Sequence, residues 1–316
     1  MRDDRLHSCD FEQGGGVGLM ANLNETSMQA SAQSSNSDEL SDELGMQLVR
    51  MGKLTPIEAA RAAARARVGG LSFPEAAVAM GFLGREELMK ALSLQYSYPV
   101  LDGSVEAGRF SRELVVGHEP FSAAAEAIRS IRTALAASAV SQGVRSFLIT
   151  APRRGAGASY FASNLALAFA QMSLPTLLVD TNLRKPRIAK IFGVQRFVGL
   201  SETLRSKNVE NPPIMENVIQ DLSILPAGEI PPNPQELLAS ADFLALTNNL
   251  QAAFGIVIYD TAAGMDYADA HVVASRVGAA VVVARRHKTA FNDISMLMQK
   301  FRGINCKVLG SVLNKF

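Results

Sequence analysis

The sequence has 316 residues, 48% of them hydrophobic, enough for a full core and for more than one folding unit. Its 31 basic and 30 acidic side chains leave a net charge of +1, so no whole-chain field directs it to nucleic acid. The two cysteines, Cys9 and Cys306, stand at opposite ends, the pattern of reduced cytosolic thiols. No apolar run reaches the roughly 18–20 residues of a membrane span. The opening MRDDRLHSCDFEQ lacks the basic-then-apolar order of a secretion signal. A cytoplasmic protein is expected, meeting the membrane through a partner.

In chain order, residues 1–40 are rich in Gly, Ser, Asn and Gln and are expected to be disordered. Residues 41–101 read as a small helical domain with an internal echo: Leu48-Val-Arg-Met51-Gly52-Lys-Leu54 against Ala77-Val-Ala-Met80-Gly81-Phe-Leu83. Each copy ends a helix at glycine and packs the turn with leucine. Thr55, Pro56 and Glu58 fit a capping box with proline at the first helical position. Residues 102–120 mix Gly, Pro and charge without period and read as a linker. An alanine-rich helix follows, with Glu126, Arg129 and Arg132 at three-residue steps on one face. Taken alone, that stripe is a solvated surface.

The stretch from Arg145 to Pro186 organises the rest. Ser146–Thr150 is a short buried strand, Gly155 and Gly157 allow a tight loop, and Ser159 opens an apolar segment at helical spacing. A second buried run, Thr176–Val179, ends on Asp180. Bare N–H groups where a loop meets a helix N-terminus favour an anion, so phosphate is the expected ligand. PRRGAGAS at 152–159 nearly meets the pattern G-x-x-x-x-G-K-[ST], but Ala158 stands where lysine is wanted and Pro152 where the first glycine is wanted. Further on, Gly255–Tyr259 closes on Asp260-Thr261, and Ala279–Ala284 and Val308–Leu313 are two more apolar, β-branched runs. Buried strands alternating with helices predict an α/β fold, a doubly wound and mainly parallel sheet of the P-loop type. Ligands sit at the carboxyl ends of such strands, where Thr150, Asp180 and Asp260 all fall.

With these pieces in place, the chain resembles the bacterial tyrosine kinases of exopolysaccharide synthesis, and among them the chain-length-determinant, EpsG type of exosortase-linked gene sets, over about residues 40–316. The phosphate loop of that family falls on Gly155-Ala156-Gly157-Ala158-Ser159. Its D-x-D-x-R motif falls on Asp180-Thr-Asn182-Leu-Arg184, and its third motif on Ile256–Thr261. LPAGEIPPNPQELL at 225–238 matches the family almost letter for letter, and Glu126-x-x-Arg129-x-x-Arg132 matches the helix that closes subunits into a ring. Residues 44–100 are similar to the N-terminal domain of type II secretion ATPases.

The resemblance implies ATP or ADP with Mg²⁺, held by Arg154, Gly155, Ala156, Gly157, Ala158, Ser159, Tyr160 and Arg184. It implies metal ligation by Ser159, Asp180 and Asp260, and catalysis by Asp180, Asn182 and Asp260. It also implies a membrane polysaccharide co-polymerase as partner, no nucleic acid, and a place at the inner face of the membrane. Three departures follow from the residues. Ala158 removes a cation worth on the order of 3–4 kcal/mol, which Arg153, Arg154 or Arg184 would have to replace. Asn182 cannot take a proton where the family has an acid. The last tyrosine is Tyr267, so no tyrosine-rich tail is expected to serve as acceptor. Three readings result: a tyrosine kinase regulating exopolysaccharide chain length, a degenerate nucleotide switch or scaffold of the same machinery, and a septum-positioning or partition type of ATPase.

Overall fold

The computed structural model describes residues 20–22, 44–46, 48–84, 101, 109–120, 122–194 and 198–315. The strands are β1 Met20–Asn22, β2 Ser146–Thr150, β3 Thr176–Asp180, β4 Met215–Ile219, β5 Leu222–Leu225, β6 Ile256–Asp260, β7 Ala279–Arg285 and β8 Lys307–Asn314. They form one sheet in the order β1-β8-β7-β2-β6-β3-β5-β4, parallel throughout except for the β4–β5 pair. The helices are α1 Pro56–Gly69, α2 Phe73–Ala79, α3 Val115–His118, α4 Ala123–Ser138, α5 Ala158–Ala170, α6 Ile188–Ile191, α7 Leu200–Ser206, α8 Pro234–Ala239, α9 Ala241–Ala253, α10 Asp269–Val277 and α11 Phe291–Gly303.

The central strands are buried at every position because helices cover both faces, which is why they read as continuous apolar runs. Alternate residues serve opposite cores. Phe147, Ile149, Leu178 and Ile258 meet α4 and α5 through Ile128, Ile131, Leu135, Phe161 and Phe169. Leu148, Val179, Val257 and Tyr259 meet α9, α10 and α11 through Phe243, Leu250, Val273, Leu297 and Phe301. The doubly wound expectation is met.

The helical segment has its own core of Leu48, Leu54, Ala62, Phe73, Ala77 and Leu83. Here the echo becomes geometry. Gly52 and Gly81 both take left-handed backbone (φ +67° and +69°), and each is followed by a buried leucine, Leu54 or Leu83. Thr55 and Glu58 form the expected capping box, and Ser72 with Glu75 forms a second one under the same S/T-x-x-E signal.

Residues 109–120 do not behave as the expected linker. Phe110, Leu114 and Val116 are buried in the first core, and the Asn164 side chain accepts from the Val116 N–H (3.0 Å) and donates to the Glu113 carbonyl (2.7 Å). Three apolar side chains, too sparse to show a period, are enough to dock the segment. The disorder expected for residues 1–40 falls outside the described residues, save for the strand at 20–22. No helix among the described residues is long and apolar enough to cross a membrane.

Candidate nucleotide site

The site lies where β2, β3 and β6 end. Residue pairing sets Asp180 directly beside Asp260, and both carboxylates are fully buried. Thr181 fixes that register, donating its N–H (2.8 Å) and its hydroxyl (2.6 Å) to the Asp260 carbonyl. Sequence reasoning passed over Thr181, whose only signal is its place between two acidic strand ends. After β2 the chain turns through Gly155 (φ +84°) and Gly157 (φ +90°), and Gly157 caps α5. Only glycine adopts both conformations without strain. The N–H groups of Gly264 and Met265 donate to the carbonyls of Ala151 and Pro152 (2.9 and 3.0 Å), so the loop after β6 is tied to the glycine loop.

The two acids differ in their partners. Asp180 Oδ1 accepts from the Asn182 N–H (3.1 Å), and Oδ2 accepts from Arg187 and Ile188 N–H (3.0 Å each). Burial nevertheless pushes its pKa up to about 6. Asp260 accepts no hydrogen bond of regular geometry on either oxygen. Burial first, and the Asp180 charge second, hold its pKa well above the carboxylate range, and the nearby Ser159 hydroxyl pulls the other way. A buried acid with two bare oxygens is costly in an empty protein and suits a hard cation. Among the described residues no group of three or more His, Cys, Asp and Glu could cage a metal. One carboxylate and one hydroxyl, Asp260 and Ser159, is instead the donor set by which Mg²⁺ shared with phosphates is held. Asp180, with three amides on its oxygens, can orient such an ion through water.

Other expected residues are already engaged. Arg184 makes a bidentate pair with Asp269 (Nε–Oδ2 2.6 Å, Nη2–Oδ1 3.0 Å) and lies 4.3 Å over the Tyr267 ring. Its fork, expected on phosphate, is filled by a buried acid 85 residues away. Arg153 pairs with Asp293 (3.0 Å) and Asp266 (3.6 Å). Arg154 is exposed, and Ala158 and Ser159 are half-buried at the loop-to-helix junction. Tyr160 packs on the first core beside Glu113 and Glu119, its hydroxyl pKa raised by burial and by those two charges. The Asn182 side-chain oxygen accepts from the Lys185 N–H (3.2 Å), closing a local turn. On α4, Arg129 binds Glu126 (2.8 Å) and the Pro120 carbonyl, and Arg132 donates to the Ala168 carbonyl (3.1 Å), while Glu126 remains exposed.

Two structural predictions arise here. Arg184→Ala strands the Asp269 carboxylate, which is fully buried, and is expected to cost about 3 kcal/mol, whereas Asp269→Asn frees a half-buried guanidinium to water and costs less. Urea unfolding of the two variants checks the asymmetry. Where the proline loop meets α7, Glu202 of that helix accepts from the N–H groups of its N-cap, Gly199 (2.7 Å), and of Glu229 in the loop (3.2 Å). Gly228 there has φ +80°, and a Cβ on it would lie 1.8 Å from Glu202 Oε2. Gly228→Ala should therefore cost about 1–3 kcal/mol, read as a lowered melting temperature with faster amide exchange at 226–230.

A strand, a glycine turn and a helix, with two acids at neighbouring strand ends, define the class of P-loop nucleotide-binding α/β domains. No family model matches the chain. It is 32% identical over 206 residues, 65% of its length, to the tyrosine-protein kinase YwqD of Bacillus subtilis, of which it covers 87%. It is 33% identical over 202 residues to the putative tyrosine-protein kinase CapB of Staphylococcus aureus, covering 64% of this chain and 89% of that one. The chimerical protein CapA2B2 aligns with TM-score 0.60 and 32% identity, over 72% of this chain and 98% of its own. The kinase domain of the Escherichia coli tyrosine kinase ETK aligns with TM-score 0.60 and 28% identity, over 64% of this chain and 79% of its own. The chain belongs to the bacterial tyrosine-protein kinase family.

Proposed function

We propose that this protein is a nucleotide-dependent tyrosine-kinase subunit of exopolysaccharide assembly, acting on polymer length through a membrane co-polymerase at the inner face of the membrane. The observation that carries the nucleotide part is the Asp180–Asp260 pair, with the two Asp260 oxygens unpartnered beside Ser159 at the foot of the glycine loop. In this reading the backbone from Gly155 to Ser159 cradles the phosphates of ADP or ATP, Ser159 and Asp260 hold Mg²⁺, and Asp180 orients it. When bound, Mg²⁺ neutralises charge on the phosphates and aligns them for in-line transfer. The glycine loop supplies fixed donors to the phosphates, and the burial of both acids excludes bulk water from the strand ends. The exposed Glu126 edge of α4 serves ring closure.

A second reading has specific support. Ala158 brings no ammonium, and the Asn182 oxygen, unable to take a proton, is held in a turn. On that reading nucleotide binding switches the partner, without phosphoryl transfer. Incubation with γ-labelled ATP, Mg²⁺ and a Glu-Tyr copolymer separates the two. Slow labelling on tyrosine that disappears in Asp260→Asn supports the kinase; no labelling by a chain that binds ATP leaves the switch.

A further inference from the structure

The position of Ala158 leaves the phosphate loop short of a positive charge; of the arginines named from the sequence, Arg153 and Arg184 are paired with acids elsewhere and Arg154 is exposed to solvent. Two residues from other strands hold the loop instead. β7 pairs with β2 up to Thr150–Val282 and then runs on through Arg285, three residues or roughly 10 Å beyond the level of Thr150. That overhang places Arg285 against the loop, where Nη1 donates to the Gly155 carbonyl (3.2 Å). The β7 end is tied down at this point by a pair of hydrogen bonds. The Arg285 N–H donates to the Thr289 hydroxyl (2.8 Å), and the Thr289 N–H returns to the Arg285 carbonyl (2.9 Å). From the adjacent strand, the buried Asn314 side chain donates to the Ala156 carbonyl (3.3 Å), and the Arg286 N–H donates to the Asn314 carbonyl (2.9 Å).

Two consecutive loop carbonyls are thus turned toward β7 and β8. In a trans peptide the carbonyl and the following N–H point in opposite directions, so the N–H groups of Ala156 and Gly157 face away from those strands. We infer that Arg285 and Asn314 aim the phosphate-loop amides, and that Arg285 delivers through the Gly155 peptide part of the charge missing at Ala158. This rests on the nucleotide-binding reading above. A guanidinium on a carbonyl polarises the whole peptide and strengthens the Ala156 N–H as a donor, as in a chain of hydrogen bonds. Arg285 is a positioning residue here, since it acts through the backbone. No sequence signal marks it, because the overhang of β7 past β2 is a matter of register.

The test is a cycle of ADP affinities measured by calorimetry, with Mg²⁺, for the full chain and for Arg285→Ala and Arg285→Gln, each with and without Ala158→Lys. Arg285→Ala is expected to weaken ADP roughly 10- to 100-fold in the unmodified loop, and Arg285→Gln, which keeps a donor without charge, by less. With Lys at 158 the loss from Arg285→Ala should shrink below about threefold, because the two cations serve the same phosphates. Equal losses in both backgrounds would mean a merely structural contact and would overturn the inference, as would unchanged affinity in Arg285→Ala. Melting of Arg285→Gln within a few degrees of the unmodified chain keeps the comparison on folded protein. If the unmodified chain binds no ADP at all, the nucleotide reading itself fails and this inference with it. Unchanged binding in Arg285→Ala defeats this inference alone.

Discussion

Asp260→Asn is expected to raise the melting temperature of the nucleotide-free protein at pH 7.5, by roughly 3–6 °C, and to abolish the Mg²⁺ dependence of nucleotide binding. The two signs come from one geometry. Without a cation, two buried acids stand side by side on neighbouring strands, and burial together with the Asp180 charge raises the cost of ionising Asp260. An amide at 260 removes that repulsion and also the metal ligand. The pH dependence follows. Asp180 titrates near 6 in the folded chain against 3.8 for the ordinary carboxylate, so the folded state holds its proton more tightly. The stability from that proton is fully present below about pH 4 and is lost as pH rises through about 6, a span worth on the order of 3 kcal/mol. Glu202, whose pKa is lowered, contributes with the opposite sign; it and Asp180 stand in both chains, so the difference between the unmodified chain and Asp260→Asn across pH 4–8 reads Asp260, whose own pKa is held up by burial and by the Asp180 charge. That difference should widen toward high pH. A variant that melts lower than the unmodified chain at pH 7.5 would contradict the account of the pair.

The second large effect concerns Ala158, the first residue of α5. Ala158→Lys should tighten ADP and ATP by roughly 10²-fold, the lower end of what a preorganised cation on phosphate is worth. Without nucleotide the same change should destabilise the chain by about 0.5 kcal/mol, since it sets a positive charge at the positive end of a helix. Calorimetry and thermal melting read the two halves separately. Tighter binding with lower intrinsic stability identifies the loop as a phosphate site that has lost its charge. No gain in affinity would mean that the loop does not face phosphate.

The central strands were legible in the sequence because they are buried on both faces and read as β-branched or leucine runs ending in an acid or a turn residue, as in TLLVD and IVIYD. The glycine loop was legible because left-handed backbone demands glycine. What did not show were the partners of charged side chains. Arg184 has a motif position, but the acid that holds it, Asp269, comes from α10, and only the folded sheet brings the two together. Arg129 and Arg132 look like a surface stripe, yet their guanidiniums bind carbonyls of Pro120 and Ala168. The docking of residues 109–120 was missed for a related reason. Its anchors, Phe110, Leu114 and Val116, follow the shape of a core that the sequence does not display.

The central claim is that an Asp260–Ser159 donor pair under a glycine loop binds a Mg²⁺-nucleotide despite Ala158. Titration of the full chain with ADP, with and without Mg²⁺, tests it most directly. The account predicts micromolar binding with Mg²⁺ and at least roughly tenfold weaker binding without it, with a matching rise in melting temperature under saturating Mg²⁺-ADP. No heat and an unmoved melting temperature in both conditions would contradict it.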